Sequence, residues 1–105
     1  MGEKGNKLSQ DSTLTVALLL EKLSQIGGIT SKKMFGGFGI FHEGKMFALV
    51  DAKGQGYLKA DDSNRTDFEA SGSDKHSRMP YYSIPDEILN DPETLVEWAN
   101  KSIAI

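Results

Sequence analysis

The sequence predicts an α+β domain of two layers, an antiparallel sheet with helices packed on it, in the order helix, meander, helix, strand, helix. Three observations lead there. Apolar residues recur at helical spacing in two stretches, one toward each end. Between them lie short apolar segments separated by glycine-containing turns, the pattern of neighbouring antiparallel strands. The chain has 105 residues, 38% hydrophobic and 26% charged, which suits one modest core without a second domain.

Met1 to Asp11 is polar throughout and is expected to be a disordered tail ahead of a domain over residues 12–105. Ser12 or Thr13 can cap the first helix, because a hydroxyl accepts from the orphan N–H groups of its first turn. Val16, Leu19, Leu20, Leu23 and Ile26 then share one face, and Gly27-Gly28 stops the helix. From Ile29 to Ala60 the pattern is of strands. Glu43-Gly44 has the length of a hairpin turn, with glycine supplying positive φ. KMFALVD, from Lys45 to Asp51, is apolar on both faces and should lie centrally. Lys53 to Gly56 turns the chain again into a strand over Tyr57 to Ala60.

Asp61, Asp62 or Ser63 can cap a second helix, anchored by Phe68 and stopped by Gly72. Ser73 to Arg78 (SDKHSR) reads as a polar loop. Pro80 to Ile84 is a short strand, at the sheet edge if the proline belongs to it. Asp91-Pro92 starts the last helix, with aspartate at N-cap and proline where its missing N–H costs nothing. Leu95, Trp98, Ala99 and Ile103 give that helix its buried stripe, with Trp98 against the first helix or the sheet. Met34, Phe35, Phe38 and Phe47 are the other expected core residues.

Composition narrows the function classes. There are no cysteines, which excludes disulfides, thiolate metal sites and cysteine nucleophiles together. The N-terminus lacks the apolar run of a signal peptide, and Val16 to Leu20 is too short to span a bilayer. A soluble, cytoplasmic protein without membrane contact is expected. Twelve basic residues against fifteen acidic ones leave a net charge of −3. Nucleic-acid contact is therefore expected to be weak or indirect, since phosphate binding draws on a basic surplus.

The segments KKMFGGFGIF, HEGKMFALV and YLKADDSNRTDFEASG, followed by MPYYSIPDEILNDPETLVEWA, occur in an order and spacing that resembles the N-terminal domain of the TfoX/Sxy family of competence regulators. The likeness runs from about Leu14 to the end. It implies a two-layer fold like that of secretion chaperones, and no cofactor. SDKHSR is shorter than the aromatic stretch many members carry there, so a strand or turn is expected to be shortened. The separate C-terminal domain of full-length competence regulators has no counterpart in these residues, so their role in promoting DNA-uptake genes does not carry over directly.

No residue set has the form of an active site. The glycines of GGFG lack the spacing of a phosphate loop and are expected to let strands bend. His42 and His76 have no ligand set around them at metal-binding spacing, and His42 beside a turn should be exposed. Asp61, Asp62 and Asn64 fit capping better than a calcium loop. A non-enzymatic regulatory or adaptor domain is expected, without cofactor or metal, monomeric or homodimeric, binding an unidentified protein partner; an accessory DNA-binding transcription regulator or a small-ligand-binding domain is the alternative. The candidate contact residues are Lys32, Lys33, Arg65, Tyr81 and Tyr82.

Overall fold

The fold is taken from a computed structural model, which describes residues 4–34, 36–76 and 79–105, with side chains from Ser12 onward. Helix α1 (Lys4–Lys22) leads through a 3₁₀ turn (Ser24–Ile26) into strands β1 (Ile29–Met34), β2 (Gly37–His42), β3 (Lys45–Val50) and β4 (Gly56–Lys59). Helix α2 (Arg65–Ala70), strand β5 (Tyr81–Ser83) and helices α3 (Asp86–Leu89) and α4 (Pro92–Ile103) complete the order. All five strands form one antiparallel sheet in the order β1-β2-β3-β4-β5, with β3 central as its two apolar faces require. No helix among the described residues is long and apolar enough to cross a membrane.

Cross-strand register separates the two faces of the sheet. Ile40 lies opposite Ala48, which lies opposite Leu58, so these three share a face. Onto it pack Val16 and Leu19 of α1, Leu23 just after it, Phe68 of α2, and Leu95 and Ala99 of α4, as one buried cluster. Each such leucine contributes about 1.5–3 kcal/mol relative to exposure. Phe47 joins the cluster through a bulge. Ile40 pairs with Ala48 but Phe41 pairs with Met46, which leaves Phe47 as the extra residue of β3. Without that extra residue Phe47 would share the face of Leu49. The hairpin that precedes it is tight, with positive φ at both Glu43 (51°) and Gly44 (87°).

Close approach requires glycine at Gly37, where a Cβ would collide with the Val50 carbonyl oxygen; at Gly39 a Cβ would meet first the Met34 and Met46 sulfurs, which their flexible side chains can move. GGFG thus lets β2 meet its neighbours. After α2 the chain turns as expected at Gly72: Gly72 N–H donates to Glu69 and Ser73 N–H to Phe68, with φ at Gly72 of 77°. This pair of bonds is the Schellman arrangement. Asp91 caps α4 by accepting from the Thr94 N–H, with Pro92 in the first turn.

Several expectations need correction. Helical backbone begins at Lys4, so neither Ser12 nor Thr13 starts the helix, and Ser12 is buried within it. No proline falls between Lys4 and Asp11, and lysine, leucine and glutamine favour helix there, against the cost of Gly5 near the helix start. Of the expected tail, Met1 to Glu3 and the side chains up to Asp11 lie outside the described residues, as does Phe35. The α-helix stops at Lys22 and Ile26 sits in the 3₁₀ turn, still partly buried against the core. Asn64, not the preceding acids, stands at the N-cap of α2. Asp61 instead folds the approach, accepting from Ser63 N–H and hydroxyl. Trp98 is half-buried, and its ring partner is Phe68 of α2, edge-on at 4.7 Å between centroids. Helix α3 was not expected, since four residues after Pro85 are too short to show periodicity.

Candidate functional site

The two sides of the sheet end differently, and the candidate contact residues divide between them. Lys32 and Lys33 lie on β1, whose burial pattern is exposed from Thr30 through Lys33. Among the described residues, β1 has one strand neighbour, β2, so its outer edge has no strand beside it. Adjacent residues of a strand point to opposite faces, so the two ammonium groups flank that edge from both sides.

Tyr81 and Tyr82 lie on β5, at the other side. Tyr81 is buried and its hydroxyl donates to the Met46 carbonyl at 3.3 Å, reaching beneath β4; burial pushes its pKa up. Tyr82 is half-buried and stacks on Phe68 with centroids 5.6 Å apart and planes 28° from parallel. Phe68 therefore carries Tyr82 on one side and Trp98 on another. The outer side of β5 is bonded to the segment before it. Ser83 N–H donates to Asp74, His76 N–H donates to Tyr81, and Lys75 forms a bridge with Tyr82. The described residues of SDKHSR contain an isolated bridge, Lys75 with Tyr82; Ser77 and Arg78 lie outside the described residues.

Arg65 opens α2 and pairs with Asp62 at 2.8 Å and Glu69 at 3.5 Å, all on exposed surface. Such pairs contribute little, about 0–1 kcal/mol. Asn64 beside it is buried and has more to hold. Its side-chain oxygen accepts from Asp61 N–H at 2.8 Å, and its amide donates to the Lys59 carbonyl at 3.1 Å. The same carbonyl accepts from the Ser102 hydroxyl at 2.7 Å. Two buried polar side chains thereby tie the end of β4 to the start of α2 and the end of α4.

A third group of polar residues gathers on the sheet face opposite the helices. Asp51 organises the β3–β4 turn, one carboxylate oxygen accepting from Lys53 and Gln55 N–H and the other from the Tyr57 hydroxyl at 3.2 Å. Burial, the Asp51 charge, the bond to Asp51 and the Asp74 charge push the Tyr57 pKa up to about 12. His76 packs edge-on against Tyr57 at 4.7 Å, and its Nδ1 is buried without a partner among the described residues. An unpaired buried polar atom costs roughly 1–3 kcal/mol. Beside it a recess of about 70 Å³ is lined by Met34, Phe38, Leu49, Val50, Asp51 and His76.

Only part of this grouping has a mark in the sequence. Asp51 ahead of Ala-Lys-Gly is a turn signal that could have been read, since aspartate accepts from backbone two residues on. His76 meets Tyr57 only through the fold, and no local signal marks it. His42 is half-buried rather than exposed, because the Gly28 backbone runs close by: a Cβ there would lie 3.6 Å from the imidazole. Among the described residues no three histidine, aspartate or glutamate side chains converge to hold a metal ion.

The structure therefore brings Lys32 and Lys33 together on one free edge, builds Tyr81 and Tyr82 into the opposite one, and pairs Arg65 within its own helix turn. No curated protein matches the chain. A comparison with protein families matches residues 21–105 to the TfoX N-terminal domain. With β1 through α4 inside that match and an open antiparallel sheet covered by helices, the chain belongs to the TfoX N-terminal domain family.

Proposed function

We propose that this chain is a non-enzymatic regulatory or adaptor domain that binds a protein partner, in transcriptional control of the kind competence regulators serve. The observation that carries the reading is the exposed outer edge of β1 with Lys32 and Lys33 on its two sides. An edge strand offers a row of backbone donors and acceptors, and an extended segment can add to it as a further strand. Two lysines there favour a segment bearing acidic side chains. Three of the aspartates are engaged in holding the fold: Asp51 in its turn, Asp61 before α2, and Asp91 at the cap of α4.

Duplex DNA is the competing partner, and charge argues against it. Acidic residues exceed basic ones by fifteen to twelve. Helix α2 has Arg65 tied to Asp62 and Glu69, and α4 has Lys101 paired with Asp67 at 3.1 Å. Neither presents the arginine cluster that base reading relies on. Fluorescence anisotropy with promoter-derived and scrambled duplexes at physiological salt tests the choice. Weak binding that does not discriminate and fades with salt is expected. Submicromolar binding that separates the two duplexes contradicts the adaptor reading.

A further inference from the structure

We propose that the β1 edge takes an extended peptide segment as an antiparallel strand, and that this segment carries two adjacent acidic residues followed, two residues later, by an apolar one. This rests on the β1 reading above and adds to it the direction, register and side-chain pattern of the partner. The first support is the hydrogen-bond phase of β1. The strand pairs with β2 without a slip, from Ile29 opposite His42 to Met34 opposite Gly37. Just before it, the Glu43 N–H donates to the Gly28 carbonyl at 3.0 Å. Antiparallel residues alternate between bonded and non-bonded pairs, so that bond fixes Thr30 and Lys32 as the residues bonded to β2. The N–H and C=O groups of Ile29, Ser31 and Lys33 therefore point to the free edge, where an added strand meets them.

Charge sets the order of the side chains. Lys32 and Lys33 stand toward one end of the edge, and among the described residues no carboxylate pairs with either. Glu43 stands at the other end, where a Cβ on Gly28 would lie 3.1 Å from its Cγ. Acidic side chains of a docked segment are thus drawn to the lysine end and repelled from the Ile29 end. Faces set the spacing. Ser31 lies opposite Ile40, so Ile29, Ser31 and Lys33 share the helix side, while Thr30 and Lys32 share the other. Each lysine then takes its own acidic residue, and the two are neighbours in the segment. Opposite Ile29, which packs partly buried against the core cluster, an apolar side chain extends the packing. Antiparallel pairing is slightly the more stable per residue and continues the order of the whole sheet. It puts the acidic pair ahead of the apolar residue.

The test uses the full chain, ¹⁵N-labelled and titrated by NMR with the end-blocked peptide Thr-Val-Glu-Glu-Thr-Thr-Val-Thr. One control peptide has the same residues in reverse order, and another has both glutamates replaced by lysine. The expected result is a saturable shift of the Ile29, Ser31 and Lys33 amides, larger than at Thr30 and Lys32, with the first peptide alone. Lys32→Glu with Lys33→Glu should weaken that peptide by at least about tenfold and make the lysine peptide the better ligand. If the variant loses the wild-type spectrum, the peptide series on the wild-type chain carries the test. Equal binding of the reversed peptide overturns the proposed direction and pattern, yet leaves the β1 edge as a docking site. Shifts without the alternation along β1, or none there with any peptide, overturn the added strand itself. Whether the chain binds a protein at all is read separately, by capture from the native host.

Discussion

The two edges of the sheet are protected in opposite ways. At β5 the chain closes its own edge: Asp74 and His76 bond the outer backbone, Tyr81 turns inward, and Tyr82 stacks on Phe68. At β1 nothing among the described residues covers the edge, and exposed Thr30, Ser31, Lys32 and Lys33 occupy it. Cover serves stability and leaves no surface for a partner. Lysine keeps an open edge from pairing indiscriminately with other strands, yet leaves its backbone groups available to a segment of matching charge. Substitutions at β5 should therefore act on folding, and substitutions at β1 on recognition.

The largest effect is expected at Phe68, which holds both Tyr82 and Trp98. Phe68→Ala should cost about 3–5 kcal/mol, as other buried aromatic deletions do. Urea unfolding measures it, and a cost below a third of that range would mean the β5 side is not the anchored one. Asn64→Ala comes next. It leaves Asp61 N–H without its acceptor and removes the amide that donates to the Lys59 carbonyl, at a cost of about 1–3 kcal/mol. A neutral result would show that the tie between β4 and α2 is dispensable.

Tyr57 gives a smaller, pH-dependent effect. Its folded pKa of about 12 lies above the usual tyrosine value of 10, so the folded state keeps a proton that the unfolded state releases. Stability from this group is complete below pH 10 and is lost as pH rises toward about 12. Solvent screens much of it, because Tyr57 is only half-buried. Asp51→Asn removes a raising charge, so tyrosinate absorbance should appear at lower pH in the variant. An unchanged titration would detach Tyr57 from Asp51. The smallest stability effect belongs to the β1 edge, where Lys32→Glu with Lys33→Glu should leave unfolding within about 0.5 kcal/mol of wild type.

What the sequence disclosed follows the range of the interactions involved. Helix stripes, the Asp91-Pro92 cap, the Gly72 stop and the central place of KMFALVD are local patterns, and the structure has them. The bulge that turns Phe47 into the helix-side core has no sequence mark, since it arises from register between two strands. The same holds for Asn64 and Ser102, which look like surface polar residues until the Lys59 carbonyl is placed between them. The strand of Tyr81 and Tyr82 is legible as a short edge strand, but nothing local to it shows that its outer side is already bonded.

The open β1 edge is tested most directly by capture from the native host with the full chain as bait, comparing wild type with the Lys32→Glu/Lys33→Glu variant and with Arg65→Ala. Arg65→Ala serves as the control, since that side chain pairs within its own chain. A specific protein recovered by wild type and by Arg65→Ala, but lost with the charge-reversed β1, is the predicted result. Recovery of the same protein by all three folded forms would contradict the assignment of recognition to the β1 edge.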